Sequence, residues 1–217
     1  MKSLHLIASA SLLALPSFAL ADGELGDIWV YASGGSLLTG AWDHDTGEVT
    51  SLDRRVFSAE FGEDPAFPFS TDEPGIGSDL VGTTLTMGLS PTLGAWNGSG
   101  FDFSTSVLMG EYGGQSFQTG GSGGSFSFLV TQGLDLHAEF TLSGPGLTDP
   151  ANGIYLATFE FSAAGLGTSQ ALWVVYNLGM DEEAHEAAIE WVEANLVPAP
   201  GAMMLLGLAG LAGRRRR

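Results

Sequence analysis

Gly120-Gly121-Ser122-Gly123-Gly124 has the Gly-x-Ser-x-Gly spacing of a nucleophile elbow. That chemistry needs its serine on a tight turn from strand into helix, with an acid and a histidine later in the chain. Here the serine lies in a Gly/Ser tract and a strand-like run, Ser125 to Thr131, follows it. No catalytic residue is therefore expected. Asp43, Asp45 and Glu48 surround Gly47, and hard cations collect several carboxylate oxygens at close range. The stretch has one acidic position too few and a misplaced glycine for an EF-hand. Asp45-Thr46-Gly47-Glu48 fits a hairpin connection with glycine in a left-handed conformation, alone or with weak cation binding. The acidic segment Glu60 to Asp79 is a second possible cation site, set against a simple solvated loop.

Three histidines lie in the central part of the chain: His44 in a turn, His137 on a strand and His185 on a helix. None has the His-x-His or His-Glu-x-x-His spacing of a zinc site, so neither a metal ligand set nor a cofactor is expected. His185, between Glu182 and Glu186, reads as a helix-surface residue. Trp29, Trp42, Trp96, Trp173 and Trp191 could line a sugar-binding face, but their dispersal favours core positions.

The elements that must hold these residues are mostly strands. Glycine accounts for 32 of 217 residues and charged residues for only 15%. Short runs rich in Phe, Trp, Tyr, Val and Thr recur between Gly-rich turns. The spacing predicts strands at Asp27 to Ala32, Ser36 to Trp42, Glu48 to Leu52 and Val56 to Phe61, then a turn-rich segment over Gly62 to Asp79. Further strands are predicted at Leu80 to Leu89, Leu93 to Trp96, Ser104 to Tyr112, Gln115 to Thr119 and Ser125 to Thr131. Leu134, Leu136, Ala138, Phe140 and Leu142 then alternate with Asp135, His137, Glu139 and Thr141, the period of a sheet with one wet face. Ile154 to Phe161 alternates again, and Ala171 to Leu178 is a continuous apolar run. About eleven short strands at this spacing predict an all-β fold, a β-sandwich or jelly roll. Gly113 to Ser125 is the low-complexity piece and reads as a long loop. One C-terminal helix is expected, opened by Asp181-Glu182-Glu183 at its positive end, carrying Ala184, Ala188, Val192 and Leu196 at i, i+4 spacing, and stopped by Pro198.

Both ends carry addresses instead of fold. Lys2, the apolar run Leu4 to Leu20 and the Ala19-Leu20-Ala21 site before Asp22 make residues 1–21 a signal peptide. At the other end, Val197-Pro198-Ala199-Pro200 precedes an apolar stretch from Gly201 to Gly213 and then Arg214, Arg215, Arg216 and Arg217. The stretch is shorter than the roughly 20 residues of a spanning helix, and the arginines favour the cytoplasmic face. In order, spacing and position this tail, 197–217, resembles the PEP-CTERM sorting signal of exosortase substrates in Gram-negative bacteria. It departs from the usual Pro-Glu-Pro in having Ala199 between its prolines. The resemblance implies export, transient anchoring in the inner membrane, removal of the tail by an exosortase-type enzyme, and delivery to the cell surface or extracellular matrix, where extracellular polysaccharide is a partner.

Removing both ends leaves a domain over 22–196 with an extreme charge. Arg54 and Arg55 are its whole basic complement, against all 25 acidic residues of the chain, a formal charge of −23. Such a surface repels phosphate backbones and excludes nucleic-acid partners; it attracts cations. Cysteine is absent, so the domain holds together on its core. The expectation is an exported, acidic, non-enzymatic surface or extracellular-matrix protein. The alternative is a carbohydrate- or calcium-binding β-sandwich module.

Overall fold

The computed structural model describes residues 26–198. The expected signal-cleavage residues Ala19, Ala21 and Asp22, and Ala199, Pro200 and Arg214 to Arg217 of the expected sorting tail, lie outside the described residues. The chain opens with β1 (Asp27–Ser33), β2 (Ser36–Asp43), β3 (Glu48–Leu52) and β4 (Val56–Glu60). Then come β5 (Ser70–Thr71), β6 (Ile76–Ser78), β7 (Thr84–Trp96), β8 (Phe101–Phe103) and β9 (Val107–Tyr112). After β10 (Gln115–Gln118), β11 (Gly124–Leu129) and β12 (Glu139–Ser143) follow β13 (Gly153–Ala163), β14 (Gly167–Thr168) and β15 (Leu172–Leu178), and α1 (Glu182–Asn195) closes the fold.

The strands form three sheets. The largest runs β11-β7-β13-β15-β4, with β8 on β7 and β14 on β13; two four-stranded sheets run β3-β2-β1-β6 and β10-β9-β12-β5. Ile76 and Leu136 exchange backbone hydrogen bonds of 2.8 and 3.1 Å, which joins the two small sheets side by side. Their inner faces and one face of the large sheet bury a single core that includes Ile28, Leu37, Phe57, Phe126, Phe140, Phe159 and Tyr176. The other face of the large sheet carries Val56, Leu156, Trp173 and Val175 against Ala188, Ile189 and Val192 of α1. The expected sandwich therefore has a helix as a third layer. Among the described residues no helix is long and apolar enough to cross a membrane.

These layers explain why β15 reads as a continuous apolar run. All seven of its residues are buried, because Leu172, Val174, Tyr176 and Leu178 face one core while Trp173 and Val175 face the helix. The same alternation turns Phe57 and Ala59 of β4 into the sandwich and leaves Glu60 on the helix side.

Four strands escaped the sequence reading: β5, β6, β8 and β14, each only two or three residues long. In the opposite direction, the two strands expected over 80–96 are one, β7. Pro91 does not break it, because the pairing with β13 jumps from Leu93↔Ala157 to Leu89↔Phe159. The proline thus occupies a bulge where no ladder hydrogen bond is required of it. Gly113–Ser125 is not one long loop: the strand expected at Gln115 to Thr119 lies inside it as β10, paired with β9. Of the alternating stretch 134–142, the first half is extended with the single bridge at Leu136, and the ladder proper starts at Glu139. Leu136, Ala138, Phe140 and Leu142 are buried as expected.

Candidate functional site

His44, His137 and His185 come from three distant parts of the chain, and each faces carboxylates. A cavity of about 620 Å³ is lined by His44 with Asp27, Trp42 and Glu73 and by His185 with Glu60 and Glu182. Two histidine–carboxylate clusters border it.

The first cluster is assembled where the two small sheets meet. Asp27 starts β1 and is only 2% exposed. Its Oδ1 accepts the Gly75 N–H at 2.7 Å and its Oδ2 lies 2.9 Å from His44 Nδ1. Parallel pairing of β1 with β6 sets this up, since Ile28 opposite Ile76 brings the preceding residues together as well. The Ile76–Leu136 bridge then delivers His137. Its Nδ1 lies 3.2 Å from the Asp72 carbonyl and 3.5 Å from Glu73 Oε1, and its Nε2 lies 3.0 Å from Asp135 Oδ1. The His44 and His137 rings meet edge to face at 6.2 Å. Gly75 makes the approach possible: a Cβ there would fall 2.8 Å from His137 Cε1 and 2.9 Å from Asp27 Oδ1.

The electrostatics of this cluster are those of crowded acids. Burial, reinforced by the charge of Asp27, pushes the Glu73 carboxyl up to about 7. Burial opposes protonation of His137, but Glu73 and Asp135 outweigh it and its pKa is raised. The hydrogen bond and charge of Asp27 raise that of His44. The Asp72 carbonyl at Nδ1 and the Asp135 carboxylate at Nε2 both only accept, so in the metal-free protein these contacts suit a ring protonated on both nitrogens, and a cation at Nε2 would take the place of its proton. Ligand atoms of Asp27, Asp135 and His137 lie within 4.8 Å of one another, and so do those of Asp72, Glu73 and His137. A divalent cation would relieve the repulsion; the mixed imidazole–carboxylate set suits zinc or manganese better than calcium, whose sites are built from oxygen.

The second cluster lies where α1 meets the large sheet. Glu60 ends β4, Glu182 opens α1 and His185 is in its first turn; their ligand atoms also lie within 4.8 Å of one another. His185 is 1% exposed, which corrects its expected place on the helix surface. It shares the buried face with Ala188, Ile189 and Val192. That i, i+3, i+4, i+7 spacing was visible in the sequence, but the flanking glutamates masked it.

The other sequence candidates divide plainly. The Asp43–Gly47 stretch is a turn: Asp43 accepts from the Thr46 and Gly47 backbone N–H groups, and Gly47 has φ +72°. Its neighbour His44 belongs to the first cluster. The acidic segment 60–79 contributes Glu60, Asp72 and Glu73, and this is where carboxylates and histidines meet. Ser122 is exposed in a turn that leads into β11 and not into a helix, so the nucleophile-elbow geometry is absent there. Trp29 and Trp42 pair at 5.7 Å over Gly77, half-buried beside His44. Trp96 and Trp191 pack with Phe101 under α1, and Trp173 is buried beneath Arg55, 4.8 Å above its ring. Of the tail residues, Val197 packs against the helix-side core and Pro198 is exposed.

The architecture is that of a mostly β sandwich with an acidic, histidine-bordered cleft. No protein-family model matches the sequence, and a search of curated proteins finds no match.

Proposed function

We propose that this chain is an exported, non-enzymatic surface or extracellular-matrix protein whose folded domain is a divalent-cation-binding β module. The tail supports the first half: an exosortase-type enzyme at the inner membrane would act on Val197-Pro198-Ala199-Pro200 with Arg214 to Arg217 as the retaining charge. The observation that carries the second half is that His137 sits in two carboxylate groups drawn from separate segments, one with Asp27 and Asp135 and one with Asp72 and Glu73. Glu73, pushed up to about 7 by burial and the charge of Asp27, and His137, where Glu73 and Asp135 outweigh burial, are crowded in a way that a bound cation would relieve.

Two measurements test this. Intact-mass spectrometry of envelope or matrix material should give a chain starting at Asp22 and lacking the four arginines; recovery of the full-length chain there would refute the sorting reading. Calorimetric titration of the chelator-treated protein with Zn²⁺, Mn²⁺ and Ca²⁺ should show binding that weakens at least tenfold in Asp135→Asn. Equal binding by a folded Asp135→Asn protein would remove the first cluster as the site. A glycan-binding role is favoured by one feature, the half-buried Trp42 that lines the same cleft with Trp29 against it, since aromatic faces accept sugar rings. Retention on an acidic-polysaccharide column that requires divalent cation and is lost in Trp42→Ala would establish it.

A further inference from the structure

The second cluster holds a polar atom that the protein leaves without a partner. His185 Nε2 lies 3.0 Å from the Val175 carbonyl, and a carbonyl oxygen only accepts, so Nε2 carries the proton. Nδ1 is then the basic nitrogen. It is buried without a hydrogen-bond partner; Glu60 Oε1 is 3.0 Å away, but off the line a ring N–H would take. For a neutral imidazole this sets a lone pair against a carboxylate oxygen. For an imidazolium it pairs the charge with Glu60 but leaves the N–H bent away from the oxygen, short of a well-directed hydrogen bond. Neither state gives Nδ1 a well-directed hydrogen bond.

A cation between them resolves both. The pattern is that of a metal-binding histidine, in which one ring nitrogen donates to a backbone carbonyl and so fixes the other as ligand. Glu60 is itself held: its Oε1 accepts from Asn177 Nδ2 at 3.1 Å, and Asn177 also bonds the backbone of Met180 at 3.0 Å in both directions. Glu182, exposed at the first position of α1, would supply the third ligand, a second carboxylate oxygen, from the cavity side and leave room for water. The positive end of the helix dipole, worth about half a charge, opposes a cation here. Two carboxylates and the nearby Asp181 and Glu183 more than offset it.

We infer that Glu60, Glu182 and His185 form a second metal site, one that takes a divalent first-row ion of the zinc class and staples α1 to β4 and β15. One imidazole and two carboxylates, with a water in the open position, match zinc's preference for nitrogen and oxygen donors. The site stands on its own geometry and does not require the first cluster to bind.

The test uses the purified protein, stripped with chelator and titrated with Zn²⁺, beside Glu182→Gln and the double variant Glu60→Gln/Glu182→Gln. Glu182 is exposed, so Glu182→Gln should keep the native circular dichroism. The wild-type protein should bind zinc at this site, with a rise in melting temperature that chelator reverses. Both variants should lose that ion or bind it at least about tenfold more weakly, while Asp135→Asn retains it. Nitrogen-15 imidazole spectra should show zinc shifting His185 Nδ1 and leaving Nε2 protonated. If the first cluster also binds, the wild type takes up two ions and each variant set removes one. If only the first cluster binds, the loss appears in Asp135→Asn alone, and this inference is overturned. It is overturned equally if folded Glu182→Gln and the double variant bind zinc like the wild type, or if Nδ1 is found protonated and insensitive to zinc.

Discussion

Gly75 is the narrowest point of the first cluster, and its lack of a side chain lets Asp27 and His137 close around it. A Cβ at this position would fall 2.8 Å from His137 Cε1 and 2.9 Å from Asp27 Oδ1, closer than such atoms settle. Gly75→Ala should therefore destabilise the fold by about 1–3 kcal/mol, as overpacking does, measured by urea unfolding. It should also weaken cation binding at the first cluster and leave the helix site unchanged. Unaltered binding in a destabilised Gly75→Ala protein would mean that the cluster's geometry does not matter to the ion. At this scale the sequence was legible in kind but not in company. Alternation correctly put Asp135 and His137 on the wet side of their stretch. Nothing in local spacing says that residues 27, 44, 73 and 137 meet, because parallel pairing and one isolated bridge bring them together.

The helix shows how an element's signals are read and where they mislead. The Asp-Glu-Glu opening marks where α1 starts, and there Asp181 also caps it, its Oδ1 accepting the Ala184 N–H at 2.9 Å. Asp181→Ala should cost about 1 kcal/mol, read as a shift in the urea midpoint with unchanged slope. A shift below a few tenths of that would mean the helix is held by its packing alone. Ala188 and Val192 were rightly placed on the apolar face. His185 was not, because an ionisable residue between two glutamates suggests solvent, whereas the spacing to Ile189 and Val192 suggests burial. Strand length explains the other omissions. Runs of two or three residues carry no period, so β5 and β6 disappeared into a segment that looked like loop, although β6 pairs with β1 and sets the first cluster.

Charge acts on the molecule as a whole. With 25 acidic residues and only Arg54 and Arg55 as basic partners in the domain, most carboxylates repel one another near neutral pH. Those two arginines are already engaged, Arg54 with the Val56 carbonyl and Glu193, Arg55 with Ala171 and Gln170. In metal-free protein the titration of the first cluster then gives a definite sign. Burial and Asp27 raise Glu73 from 4.5 to about 7, so ionising it costs more folded than unfolded, and stability falls as pH rises through that interval. His44 and His137 are raised above 6.5. Their contribution is complete below that value and is lost as pH climbs through their folded values. Both effects run together, so the melting temperature in chelator should rise from about pH 8 to about pH 5, and Glu73→Gln should flatten part of that slope. Added NaCl should stabilise by screening, with a Debye length near 10 Å at 0.1 M. A melting temperature that falls over the same pH range, or with salt, would show that diffuse repulsion does not govern stability.

The parallel pairing of β4 with β15 sets Val56 beside Trp173, across most of the length of the domain. Strands β1 to β3 can zip as a local meander as soon as they are made. The next strand, β4, cannot follow them. Its sheet partner arrives almost last, and until then the backbone of β4 and the ring of Phe57 have nothing to cover them. Contacts so distant along the chain slow folding towards the millisecond-to-second range, and an uncovered edge strand invites pairing with the wrong neighbour. A chain synthesised from its N-terminus is thus obliged to keep its first half waiting for its second. The step most exposed to error in this protein's life is that interval of vectorial emergence, before β15 arrives to claim β4.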